Sequence, residues 1–235
     1  MIIYNYDRIG GNLSEDYLSS MKIETLKHLK KIKIIKSKQV EEAYIKVPRE
    51  EFIPKNLRNR AYDDTPLPIG WGQTISAIHM VIIMLEALKL EKGLKILEIG
   101  TGSGYHAAMC AEIINSDDKK GQVHSIERLM KLAVFAFKNL KRTGYNDVVR
   151  VYQRDGSKGL KEKKPFDRIL VTAASPSIPS PLVEQLKDPG ILLIPVGEYR
   201  MWQQLIMIEK KKGEIIRSNL GGVAFVPLVG EYGFK

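Results

Sequence analysis

Apolar residues recur at helical spacing from Ser14 to about Ile35, at Tyr17, Leu18, Met21, Ile23, Leu26, Leu29 and Ile32, with Ser14 placed as an N-cap. A second helix is predicted from Ser37 to Val47 and is stopped by Pro48. Periodicity then lapses. The stretch from Tyr62 to Ser76 is rich in proline and glycine, and long irregular segments inside compact domains tend to carry function. An apolar helix follows, through Met80, Val81, Ile83, Met84, Leu85 and Leu88, and ends before Gly93. Ser76 reads as its N-cap, which leaves the hydroxyl near any site built by the next segment.

The most informative run is Lys95-Ile-Leu-Glu-Ile-Gly100-Thr-Gly102-Ser-Gly104-Tyr105, a short apolar strand ending in three alternate glycines, then an alanine-rich helix. Strands are predicted at Gln122–Ile126, Val148–Gln153, Phe166–Thr172 and Gly190–Val196, with helices at Arg128–Arg142 and Pro181–Lys187. Such alternation implies a parallel sheet with helices on both faces. The end of the chain departs from it: runs at Gln203–Glu209 and Ile215–Phe225 are joined by a link too short for a helical crossover, so they form an antiparallel hairpin. The expected fold is α/β, a doubly wound, mostly parallel sheet with a C-terminal antiparallel hairpin and an N-terminal helical cap. Its parts are a cap with a substrate and cofactor loop (1–76), a core (77–212), and a C-terminal strand and tail (213–235).

Composition adds boundaries. A 44% hydrophobic and 27% charged chain of 235 residues is an ordinary globular protein. No apolar run approaches the ~20 residues of a membrane span, and Met1 to Asn12 lacks the features of a secretory signal, so a cytoplasmic location is expected, with no membrane partner. The net charge of +10 admits an anionic partner such as RNA, but the basic residues are scattered as solvated surface, so no nucleic acid is expected. The single cysteine, Cys110, reads as buried filler. The four histidines form no metal-ligand pattern, so no metal is expected.

The chemistry resides at the strand ends. Glycine tolerates positive φ and close ligand approach, while the amides at the following helix start favour negative charge. The spacing also fits a nicotinamide dinucleotide loop, but Glu98, two residues before Gly100, would repel a pyrophosphate. It would welcome a ligand bearing an ammonium group, such as the methionine half of S-adenosylmethionine. Glu127 ends the next strand, where an acid accepts both ribose hydroxyls. Asp155, before Gly156, follows the third and is placed either for an exocyclic amino group such as adenine's or as a turn acid.

These residues resemble a class I S-adenosylmethionine-dependent methyltransferase of Rossmann-like fold, and more narrowly the protein-L-isoaspartate O-methyltransferase family. The narrow similarity is carried by Pro48-Arg-Glu-Glu-Phe52, Gly72-Gln-Thr-Ile-Ser76, Glu98 to Tyr105, Asp155-Gly156, Thr172 to Pro179, Glu184-Gln-Leu-Lys187 and Phe225-Val-Pro-Leu-Val-Gly230. The family pattern has proline where this chain has Ile78, and the first thirty or so residues match poorly. The resemblance implies methylation of the free α-carboxylate of L-isoaspartyl residues in damaged proteins and peptides, with S-adenosyl-L-homocysteine as product. It implies Ser76 as the catalytic-site hydroxyl and Gln73, Thr74 and Ile75 along the cofactor. Glu98, Gly100, Gly102 and Gly104 would hold the methionine part, Glu127 and Arg128 the ribose region, and Asp155 and Gly156 the adenine. Other readings are a nucleic-acid methyltransferase of the same fold, a nicotinamide dehydrogenase and a non-catalytic scaffold. A homo-oligomer is possible.

Overall fold

The computed structural model describes residues 15–198 and 201–235; the expected Ser14 cap and the reading of Met1 to Asn12 lie outside them. Helices α1 (Glu15–Lys31) and α2 (Lys38–Lys46) lead into a hairpin of β1 (Leu67–Gly70) and β2 (Gln73–Ile75). The core follows as α3 (Ile78–Leu88), β3 (Lys95–Ile99), α4 (Tyr105–Ile114), β4 (Gln122–Glu127), α5 (Met130–Arg142), β5 (Val149–Gln153) and β6 (Phe166–Val171). The chain closes with α6 (Ser180–Gln185), β7 (Leu186–Gly197), β8 (Gln203–Lys211) and β9 (Glu214–Val223).

Seven strands form one sheet in the order β5-β4-β3-β6-β7-β8-β9, parallel from β5 to β7 and antiparallel at β8 and β9. The chain winds outward from β3 to β5, then returns to place β6 on the other side of β3. That reversal opens a crevice beyond the carboxyl ends of β3 and β6, where ligands bind in open α/β sheets. Both sheet faces are covered. Ile96 joins the apolar cluster that includes α3 and α4, whereas Leu97 and Ile99 join the cluster that includes Leu182 of α6. With a two-residue side-chain period, Glu98 faces the same side as Ile96.

The expected α/β fold is what the chain adopts, with local differences. The stretch expected to be irregular, Tyr62 to Ser76, contains β1 and β2; strands of four and three residues interrupted by Pro68 are too short to show alternation. Their turn, Gly70-Trp71-Gly72, has positive φ throughout (95°, 50° and 72°). The expected Pro181–Lys187 helix ends at Gln185, and Leu186 pairs with Phe166 as the first residue of β7. The other expected hairpin turns through Lys212 (φ 54°) and Gly213 (φ 79°), whose amides donate to Asp188 at 2.8 and 2.6 Å.

Candidate active site

The glycine loop leaves β3 with positive φ at Gly100 (95°), Gly102 (55°) and Gly104 (89°). A Cβ on Gly100 would sit 2.4 Å from Thr172 Oγ1, at the end of β6. The Thr172 hydroxyl donates toward the Gly100 carbonyl at 2.7 Å and the Ile99 carbonyl at 3.1 Å, so β6 pins the turn from the side. From the other side, Glu127 at the end of β4 accepts from Gly102 N–H at 3.0 Å and from Leu129 N–H at 2.9 Å. Gly104 serves packing: as N-cap of α4 it backs onto Leu140, 3.2 Å from where its Cβ would be.

Beyond this loop lies an open cleft of about 200 Å³. Of the expected residues, Gln73, Thr74, Gly100, Gly102, Glu127, Arg128 and Gly156 line it. Ile75 and Ser76 line a smaller adjoining pocket with Thr101, Tyr105 and His106. An open groove of about 720 Å³ runs past Ser76 toward Trp202 and Phe225. Thr74 and Thr172 border all three spaces. A Cβ on Gly156 would come within 2.4 Å of Ile99 Cγ2, so the backbone there runs hard against the strand end.

Two expected contacts are arranged differently. Glu98 is fully buried and does not reach the cleft wall. One oxygen accepts from the Ser125 hydroxyl, which lies 2.6 Å from Thr101 Oγ1, so Glu98 touches the loop through two hydroxyls. Its other oxygen has no partner among the described residues. Burial pushes its pKa up to about 8, with the Ser125 bond opposing that rise. Asp155 is likewise engaged: Oδ1 accepts from Ser157 N–H at 2.9 Å and its hydroxyl at 2.7 Å, and Oδ2 from Glu231 N–H at 2.9 Å. It ties the third strand end to the C-terminal segment, whose Val226, Pro227, Leu228 and Val229 form a cleft wall.

Ionisation of Glu98 sets an expected pH dependence. Between the ordinary value of 4.5 and about 8 the folded chain holds a proton that the unfolded chain releases. Stability therefore falls as pH rises through that window. Glu98→Gln is expected to raise stability at pH ~8 by a few kcal/mol, with the gain vanishing below pH ~4.5. Urea titrations of both proteins at the two pH values check this; a gain independent of pH would contradict it.

The expected cap is corrected. Ala77 is the N-cap of α3 and has no side chain to do the work. Asp64 Oδ1 instead accepts from His79 N–H at 2.8 Å and holds the His79 ring at 2.9 Å. A carboxylate arriving from the hairpin's start satisfies the helix end, which leaves the Ser76 hydroxyl to the cleft. Sequence reasoning also missed Leu129, Leu132 and Thr172 as cleft residues, and left Val223 to Val229 open between an interface and a wall for the peptide substrate; Val226 to Val229 line the cleft. The Thr-Ala-Ala-Ser motif after β6 was the available signal for the threonine. Burial lowers the His106 imidazole to about 3 and raises the Cys110 thiol well above its usual value.

Residues 20–233 match the model of the family described as protein-L-isoaspartate(D-aspartate) O-methyltransferase. The chain belongs to that family. It is 54% identical over 211 residues to the protein-L-isoaspartate O-methyltransferase of Methanopyrus kandleri, covering 89% of this chain and 92% of that one. Against the protein of the same name from Methanocella arvoryzae it is 56% identical, covering 81% and 98%. A family structure from Plasmodium falciparum in complex with S-adenosyl-L-homocysteine superposes with a TM-score of 0.79, 33% identity and coverage of 88% and 97%.

Proposed function

We propose that this chain transfers a methyl group from S-adenosyl-L-methionine to the free α-carboxylate of L-isoaspartyl residues in damaged proteins and peptides. The observation that carries this reading is the junction at Thr74, Ser76 and Thr172, where the cleft beyond the glycine loop and its adjoining pocket meet an open groove. A cofactor in the cleft and an extended peptide in the groove would meet there.

Support for S-adenosylmethionine in the cleft comes from the close backbone at Gly100 and Gly156, where a Cβ would meet Thr172 or Ile99, and from Glu127, whose oxygens each accept one amide and keep lone pairs that would take the ribose hydroxyls. When bound, the cofactor supplies an electrophilic methyl group on a sulfonium. The residues then have a limited task. An acceptor α-carboxylate with pKa ~3.5 is already ionised at neutral pH, so no base is required. Ser76 donates to the acceptor carboxylate and orients one oxygen along the methyl axis. The apolar side chains of Ile75, Val81 and Val226 keep water from the junction, where opposite charges approach and cancel. The resulting ester can cyclise to a succinimide, whose hydrolysis returns part of the residue to normal aspartate.

A cytoplasmic setting, without nucleic-acid or membrane partners, belongs to the same proposal. Among the described residues no helix is long and apolar enough to cross a membrane. Labelled S-adenosylmethionine, offered with matched peptides carrying L-isoaspartate or aspartate, is expected to methylate only the first. Methylation of neither peptide, or of both equally, would refute the assignment.

A further inference from the structure

The Pro48-Arg-Glu-Glu-Phe52 motif plays no part in that chemistry, yet its side chains are all tied down. Tyr62 donates to Glu50 at 2.5 Å, Arg58 and Arg142 pair with Glu51, and Phe52 meets Tyr105 edge-on with centroids 5.6 Å apart. Arg49 turns inward and is completely buried. Its Nε donates to the Ala61 carbonyl and its Nη2 to the Ser76 carbonyl, each at 2.8 Å. The guanidinium lies over the Tyr105 ring, 5.0 Å from the centroid. No ion pair with a carboxylate is formed among the described residues, and Nη1 has no hydrogen-bond partner.

A buried cation in no direct ion pair, with only the more distant Asp64 carboxylate to offset it, is costly, so its retention calls for an explanation. Ala61 and Ser76 are the two ends of the segment that carries the β1–β2 hairpin. One rigid, planar group therefore holds both ends of the element supplying Gln73, Thr74 and Ser76, which a point charge on a flexible stem would do poorly. The small pocket beside Ser76 is also lined by Tyr105 and His106, whose buried Oη and Nε2 lack partners among the described residues. Two unpartnered polar atoms beside a positive charge that makes no direct ion pair suit a carboxylate arriving from outside.

We propose that Arg49 is a positioning residue for methyl transfer, clamping the neck of the 61–76 segment and lending its buried charge to draw the acceptor carboxylate toward Ser76. The proposal rests on the isoaspartyl reading of the site. Arg49→Ala is expected to lower kcat by about 10²-fold and to raise the peptide KM, because a misplacement of ~1 Å has that effect. Guanidinium chloride at a non-denaturing concentration is expected to restore at least part of the loss; equal sodium chloride or methylammonium chloride is not. Arg49→Lys, which keeps the charge but cannot bridge both carbonyls, is expected to stay impaired. In both variants hydrogen exchange of the 62–75 amides should quicken, and guanidinium should slow it again in Arg49→Ala.

Wild-type kcat in a folded Arg49→Ala, unchanged exchange across 62–75, or a loss that guanidinium does not relieve would each overturn the clamp. If Arg49→Ala does not fold, Arg49→Met, which fills the same volume and leaves no room for guanidinium, takes its place and decides the clamp by kcat and exchange alone. Should the wild-type protein leave isoaspartyl peptide unmethylated, the functional reading fails, while exchange and its response to guanidinium still decide the clamp.

Discussion

Gly100→Ala is expected to abolish useful cofactor binding, weakening affinity for S-adenosylhomocysteine by about 10²-fold or more. Two penalties combine at this position. A φ of 95° is strained for any residue with a Cβ, costing about 1–3 kcal/mol. The added carbon would also lie 2.4 Å from Thr172 Oγ1, and moving that hydroxyl breaks its bonds to the Gly100 and Ile99 carbonyls. The loop would then shift away from β6 and carry Gly102 and its bond to Glu127 with it. Titration calorimetry on the folded variant measures the effect. Gly144→Ala separates the two penalties, because Gly144 has a φ of 81° but nothing within 4 Å of its Cβ position. That control should lose stability and bind normally. If Gly100→Ala binds the cofactor product within twofold of wild type, the glycine loop is not the cofactor's support.

Ser76→Ala is expected to lower kcat by about 10²-fold, the usual effect of deleting one donor aimed at a reacting oxygen. Affinity for S-adenosylhomocysteine should stay within about threefold, since the removed group addresses the acceptor rather than the cofactor. Stability should hardly change, because the amide at the start of α3 is satisfied by Asp64 and not by Ser76. Asp64→Ala should do the reverse and destabilise the chain by about 1 kcal/mol through the lost cap. Single-turnover methylation of an isoaspartyl peptide, with thermal melts of both variants, tests the pair. A Ser76→Ala protein that turns over normally, or that loses binding and turnover together, would remove Ser76 from the chemistry.

Much of the fold follows from local pattern. β3 to β7 were legible because strands buried on both faces read as short apolar runs, separated by helical periods with glycine or proline between them. Glycines at 100, 102 and 104 were legible as a ligand loop because positive φ at alternate positions has few other uses. Glu127 was legible by its distance from those glycines. Glu98 was expected to hold the methionine part of the cofactor, but its place behind Ser125 and Thr101 depends on which sheet face its side chain takes and on what stands next to it in β4.

The amino-acid sequence by itself determined the parallel core, the C-terminal hairpin, the glycine loop and the family, because propensity, periodicity and turn chemistry act over a few residues. Only the tertiary structure decided how long-range partners share the polar work. Asp64 relieved Ser76 of capping from fifteen residues away in the chain, the segment from Val226 to Val229 became a cleft wall, and Asp155 was drawn to the amide of Glu231. Arg49 likewise met Ala61 and Ser76 only after the hairpin segment closed on itself. The polar contacts among these each satisfy a donor or acceptor, that of Arg49 with Ala61 fully buried and the others partly buried or exposed. Such a group takes the partner that the packed chain brings within reach, and that pairing leaves no periodic trace in sequence.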